Sequence, residues 1–300
     1  MSKYIISCCT TADLTREHLE SRDIKYIYFH YELDGKQYDD DLGISMSMPD
    51  FYQAMVDGAD TKTSQVNSGE FEEFFGKYLD EGYDIIHMTL SSGISGVYNS
   101  ACIAREELSE KYPDRKIYIV DSLAASCGYG LLMDKAADMR DSGMDVDQLH
   151  EWIEANKNKV QHWFFSMDLT FFIKGGRISK TAGTIGNMLN ICPFMDVEPD
   201  GSLAVKKKLR GKKKAFTEMI ATMKELADNG VDYSDKVYVA HSACYEDAKI
   251  MTDMIEANFT KIAEPIKIEY IGTTIGSHTG PGTVVVCFWG EPRVAEEDTF

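Results

Sequence analysis

Ile85-Ile86-His87-Met88-Thr89-Leu90-Ser91-Ser92-Gly93-Ile94-Ser95-Gly96-Val97-Tyr98 changes character halfway along. Its first six residues, Ile85–Leu90, form an apolar run of strand length, and from Tyr98 to Lys111 the apolar positions return at helical spacing. Between the two lies a serine- and glycine-rich turn. Similar units flank it. Tyr4–Cys8, Tyr26–Tyr31 and Ile117–Val120 read as further strands, and Tyr129–Arg140, closed by Gly143, reads as a helix. Phe71, Phe74, Phe75, Tyr78 and Leu79 mark another helix behind Ser68-Gly69, with Gly82 ending it. Alternation of this kind predicts a mostly parallel sheet sandwiched by helices, with ligands at the carboxyl ends of the strands.

Beyond Gln161 the pattern changes. Asp200-Gly201 between Phe194–Val197 and Leu203–Leu209 predicts a tight hairpin. Helices at Ala215–Ala227 and Glu246–Phe259 alternate with strands at Val237–Ala240, Ile266–Tyr270 and Val284–Phe288. The expected architecture is therefore α/β in two domains: an N-terminal α/β domain over residues 1–160, a C-terminal mixed α+β domain over 161–290, and an acidic, frayed tail over 291–300.

The whole composition narrows the function. Three hundred residues, 44% of them hydrophobic, suffice for a large core, and no stretch reaches the ~18 apolar residues of a membrane span. The first residues read as a short strand without the apolar region of a signal peptide, so the expected location is the cytoplasm. Thirty-one basic against forty-nine acidic residues, a net charge of −18, oppose binding to nucleic acid. Seven cysteines without C-x-x-C spacing read as reduced thiols, with no zinc site. No G-x-G-x-x-G follows a strand, no P-loop or H-E-x-x-H occurs, and no cofactor or metal is expected.

Six segments stand outside the ordinary pattern. Ser91–Gly96 opens a helix, where backbone N–H groups lack partners and favour an anion. A serine N-cap alone would need fewer hydroxyls. The G-x-S-x-G of a nucleophile elbow fails, because Val97 stands at its last position. Thr61-Lys62-Thr63-Ser64-Gln65 and Asp121-Ser122-Leu123-Ala124-Ala125-Ser126-Cys127-Gly128 supply two more hydroxyl clusters, the first in a polar loop and the second at a strand end. Lys174-Gly175-Gly176-Arg177-Ile178-Ser179 joins a guanidinium to two glycines, and Ile275–Thr283 forms a glycine-rich loop around His278. Each has a plain alternative as a turn. Last, Lys206, Lys207, Lys208, Arg210, Lys212, Lys213 and Lys214 make one basic run in an acidic chain, either an edge strand guarded by lysines or a docking patch.

Taken in order, these segments resemble the DegV family of bacterial fatty-acid-binding proteins over essentially the whole chain. The motifs that carry the resemblance are Thr63-Ser64-Gln65, Ser91–Gly96, Asp121-Ser122 with Ser126 and Gly128, Lys174–Ser179, and Gly276–Thr283. Val66 and Val97 stand where the family usually has Pro and Thr. The resemblance implies a long-chain fatty acid buried between two domains. Its carboxylate would be held by Thr63 and Ser95, with Ser64, Gly96, Ser126, Arg177 and His278 near the head group. It further implies a subunit without an active site of its own, presenting the acid to an ATP-dependent fatty acid kinase subunit that docks around Arg210, with Lys206 and Lys214 beside it. Two rival readings accompany it: an acyl hydrolase using Ser95 as nucleophile and His278 as base, and a lipid-sensing regulator.

Overall fold

The computed structural model describes residues 3–179 and 190–294. Residues 295–300 of the expected tail lie outside the described residues.

Elements follow in chain order: β1 Tyr4–Cys9, α1 Arg16–Ser21, β2 Ile24–Ile27, β3 His30–Leu33, β4 Lys36–Asp39, α2 Met48–Val56, β5 Thr61–Ser64, α3 Ser68–Asp80, β6 Asp84–Thr89, α4 Val97–Lys111, β7 Ile117–Asp121, α5 Ser126–Asp141 and α6 Val146–Asn156. Then come β8 Val160–Phe165, α7 Thr170–Lys174, β9 Ile191–Val197, β10 Leu203–Arg210, α8 Lys212–Leu226, β11 Tyr238–His241, α9 Tyr245–Asn258, β12 Ile268–Tyr270, α10 Thr273–Thr279 and β13 Val284–Trp289.

Strands β2-β1-β6-β7 form a four-stranded sheet in which every pairing is parallel. Side chains alternate across a strand, so neighbours serve opposite cores. Ile5 and Ile85 pack with Phe71, Phe75, Val97 and Ala101 of α3 and α4. Ile6 and Ile86 pack with Leu131, Leu132 and Ala136 of α5 and with Leu149 and Ile153 of α6. Both faces are covered, and every residue of β6 is buried, as expected of a parallel sheet between helices. This is the α/β architecture with a parallel sheet and a second, mixed sheet.

The mixed sheet has six strands in the order β10-β9-β8-β13-β11-β12, antiparallel except for β11–β12. The apolar core beneath it is continuous with that under α5, which joins the two sheets through one buried cluster. At the hairpin between β9 and β10, Gly201 adopts φ +80° at the tip, as the Asp-Gly signal predicts. The turn closes through Gly201 N–H to the Glu198 carbonyl at 2.8 Å. That tip lies against Ser91-Ser92-Gly93: Ser91 Oγ donates to the Gly201 carbonyl at 2.9 Å. A Cβ on Gly93 would sit 2.5 Å from the Gly201 carbonyl carbon, so only glycine permits this approach.

Several expectations are corrected. Tyr26–Tyr31 is not one strand. It breaks at Tyr28-Phe29, where Phe29 turns into the core and its N–H bonds Thr10 Oγ1 at 3.1 Å, and β3 then joins a different sheet. That sheet is three-stranded and antiparallel, in the order β4-β3-β5. Thr61–Ser64 is accordingly its edge strand β5 rather than a polar loop. The segment around His278 is helical from Thr273 to Thr279, and the loop begins only at Gly280, φ +65°. The helix starts there because buried Asp40 accepts from Thr273 Oγ1 at 2.8 Å and Thr274 Oγ1 at 2.7 Å. Residues 291–294 are not frayed, since Arg293 is buried and donates to the carbonyls of Val197, Glu198 and Leu123.

Candidate functional site

The carboxyl ends of β6 and β7 open toward the inner face of β8 and β13, and a void remains between them. The non-atom space within it, open mouth included, is about 750 Å³, of which about 80 Å³ admits the centre of a water-sized sphere. Phe29, Leu90, Phe164, Phe172, Leu203 and Val285 give it an apolar wall. Polar side chains enter from separate elements: Thr63 from β5, Ser95 from the loop before α4, Ser126 from the start of α5, Arg177 after α7, and His278 from α10.

At one place these polar groups form a connected chain. Thr63 Oγ1 and His278 Nε2 lie 2.7 Å apart. His278 rests on Gly175, where a Cβ would stand 2.2 Å from Nδ1. The Gly175 carbonyl accepts from Arg177 at 2.5 Å, and Arg177 Nε donates to the Ile94 carbonyl at 3.2 Å, next to Ser95. Burial, and secondarily the Arg177 charge, pushes His278 down to about 4, so its imidazole is neutral near pH 7. Burial also lowers the Arg177 guanidinium from its ordinary value. Among the described residues, the formal charge at this place is thus a partly desolvated cation beside two hydroxyls. An anion would find both Coulomb attraction and hydrogen-bond donors here.

Ser95 is held by its surroundings. From its place one residue before the Gly96 N-cap, its Oγ lies 3.4 Å from Gln65 Oε1 and receives the Val97 N–H at 3.3 Å. Gln65 Nε2 in turn donates to Ser100 Oγ at 2.9 Å. The side chain of Gln65 also fills the space over Gly96, where a Cβ would meet Oε1 at 3.0 Å. Gln65 therefore positions Ser95, a role that the sequence did not reveal, because Ser100 lies on the far side of the turn. No hydrogen bond joins Ser95 to His278 among the described residues, and the imidazole is engaged by Thr63 instead. The pair required for a serine hydrolase is not formed.

Not every expected residue faces this void. Ser64, next to Thr63 on β5, points to the opposite side, into a shallow cleft with His30 and Glu70. Gly96 serves by allowing Gln65 to approach. Ser126 Oγ donates to Asp13 Oδ2 at 2.5 Å, away from the Thr63–His278 chain. Four polar lining groups were not among the expected site residues: His162 on β8, Thr274, Thr279, and Thr283, whose Oγ1 is buried without a partner among the described residues.

The basic run divides. Lys206 turns back onto its own hairpin, 2.7 Å from Glu198, while Lys207 pairs with Glu218 at 2.5 Å and Lys212 with Asp247. Arg210 and Lys214 are exposed. Lys206–Arg210 also belong to β10, the edge strand of the mixed sheet, so the lysines guard that edge as well. Among the described residues, no helix is long and apolar enough to cross a membrane, and no group of His, Cys, Asp and Glu could hold a metal ion. All seven cysteines are free thiols.

Comparison with known proteins gives one consistent answer. The family model for the DegV family of uncharacterised proteins matches residues 8–291. A DegV domain-containing protein of Clostridium perfringens is 39% identical over 293 residues, covering 98% of this chain and 99% of the relative. Two solved Thermotoga maritima structures superpose with TM-scores of 0.82 over 97% of this chain and all of theirs. One, 26% identical, is a DegV lipid-binding protein, and the other, 27% identical, is a protein whose structure revealed fatty-acid binding. The chain belongs to the DegV family.

Proposed function

We propose that this protein binds a long-chain fatty acid in the void between its two sheets and presents the carboxylate to a separate kinase. The observation that carries the reading is the pairing of an apolar wall with one polar cluster, Thr63, Ser95, Arg177 and His278, at a single place on it. The relatives described as lipid- and fatty-acid-binding share this fold over nearly the whole chain.

The energetics agree. A carboxylate taken from water without donors costs several kcal/mol. The Thr63 and Ser95 hydroxyls, with Arg177 nearby, offset that cost and favour the ionised form. Each buried methylene contributes ~0.8 kcal/mol, so a sixteen-carbon tail gains on the order of 10 kcal/mol before ordering costs. In this reading the chain divides near residue 160, with one domain on the parallel sheet and the other, 161–290, on the mixed sheet. The acid would lie between them. Phosphoryl transfer would belong to the partner, docking at the exposed end of β10 around Arg210 and Lys214. Lys206 is engaged by Glu198 and would contribute less.

The test is mass spectrometry of lipid extracted from the purified chain. A stoichiometric fatty acid is expected from the wild type, and little or none from the Thr63→Ala, Ser95→Ala double variant, whose melting should remain cooperative. Full lipid occupancy in the folded double variant would refute the carboxylate assignment.

A further inference from the structure

His162 has no part in the cluster just described, yet it lines the same void. Its Nδ1 lies 3.0 Å from the Val160 carbonyl. A carbonyl only accepts, so Nδ1 carries the proton and Nε2 is left as a bare acceptor. That Nε2 has no partner among the described residues, in a side chain only 2% exposed. Burial, with the Arg293 charge adding to it, holds the imidazole well below its ordinary value, so Nε2 does not acquire a proton of its own. Gly128 makes room for the ring: a Cβ there would come within 2.0 Å of Nε2.

The position within the void follows from strand register. His162 pairs with Cys287 across β8 and β13, while Phe164 pairs with Val285. Thr283 precedes β13, four residues from Cys287, or ~13 Å of strand. Thr283 and Thr279 mark the side of the void that adjoins His278, so His162 stands well along the sheet from the polar cluster. Phe164 and Val285 lie between the two ends. Val197 and Leu203 flank His162 on the other side and are apolar. The nearby Ser126 hydroxyl already donates to Asp13. A trapped water needs two to four polar partners, and this wall offers few. An unpartnered buried acceptor on a residue that lines an apolar void is therefore satisfied best by a donor carried on the ligand itself.

We infer that the tunnel is shaped for an acyl chain bearing a hydroxyl in the half distant from its carboxylate, received by His162 Nε2. The inference rests on the fatty-acid reading above and specifies the class of acid.

The experiment uses the full chain, stripped of lipid, and measures affinity for hexadecanoic acid and for a ladder of its monohydroxylated positional isomers. One isomer, or two adjacent ones, with the hydroxyl in the distal half should bind about fivefold tighter than the plain acid, the value of one ordinary hydrogen bond. Isomers hydroxylated beside the carboxylate should show no such gain. His162→Leu should keep the plain acid and lose the preference, whereas His162→Gln, which retains an acceptor, should keep it. If His162→Leu does not fold, the ranking of isomers on the wild-type chain and on His162→Gln still decides. Plain acid binding as tightly as every distal isomer would overturn the inference alone, His162 then facing an ordered water or bare hydrocarbon. So would a preference that survives in His162→Leu. Failure to bind any of the acids would overturn it together with the fatty-acid reading.

Discussion

Gly175 carries no side chain, and His278 occupies the space that one would fill. Its φ is −73°, which any residue adopts, so an added methyl acts by contact alone. A Cβ would stand 2.2 Å from Nδ1 and 3.2 Å from Cγ and Cε1, forcing the ring off Thr63. Gly175→Ala should weaken fatty-acid binding about tenfold and cost about 1–3 kcal/mol of stability, as overpacking does. Ligand titration beside chemical denaturation checks both. Unchanged affinity with reduced stability would remove His278 from the site. At this scale the sequence was legible where a residue acts through its own neighbours. Ser95 before a helix and Arg177 beside Gly175 could be named as candidates in that way. Gln65 and His162 were not, because one acts through Ser100 across a turn and the other through the register of β8 with β13.

Among elements, the β9–β10 hairpin has the sharpest requirement. Its tip glycine, Gly201, has φ +80° and would place a Cβ 1.9 Å from Ser91 Oγ and 3.2 Å from the Leu123 Cα. Gly201→Ala combines a left-handed conformation with a steric clash, and a loss of about 2–4 kcal/mol is expected. A urea unfolding midpoint unchanged from wild type would show that the tip can lift from the Ser91 loop without cost. The Asp200-Gly201 signal made this element readable, as hydrophobic alternation did for the parallel sheet. The three-stranded sheet was hidden for a physical reason. β4 is Lys36-Gln37-Tyr38-Asp39, mostly exposed, and β5 is Thr61-Lys62-Thr63-Ser64, so neither shows apolar alternation. Only their pairing with β3 defines them as strands. β8 was missed for the converse reason: all six of its residues are buried, so no polar face marks its period.

For the molecule as a whole, the proposed lipid site and the proposed docking surface are separable in space. The polar cluster draws on β5, the loop before α4, the turn after α7, and α10, while Arg210 ends the edge strand β10 and is exposed. On the docking proposed above, Arg210→Ala should leave lipid occupancy unchanged and slow phosphorylation of the bound acid by the cognate kinase about tenfold or more. Extraction of lipid and turnover by the kinase are measured on the same preparation. Equal turnover would move the docking surface elsewhere. Net charge led to the expectation of no nucleic-acid partner, but the split within the basic run was invisible in the sequence. It depends on Glu198, Glu218 and Asp247, which approach Lys206, Lys207 and Lys212 only in the folded chain.

The place of β13 in the mixed sheet has a consequence for how the protein is made. It is the last described strand in the chain, yet it lies at the centre of the sheet, between β8 and β11. Until residues 284–289 leave the ribosome, β8 with its hairpin and β11 with β12 have no common partner. The parallel sheet can assemble early in synthesis, whereas Phe164 and its apolar neighbours wait, uncovered, for more than a hundred further residues. The nascent chain thus passes through an interval in which the apolar wall of its void is open to whatever binds exposed hydrocarbon, whether a chaperone or a free fatty acid.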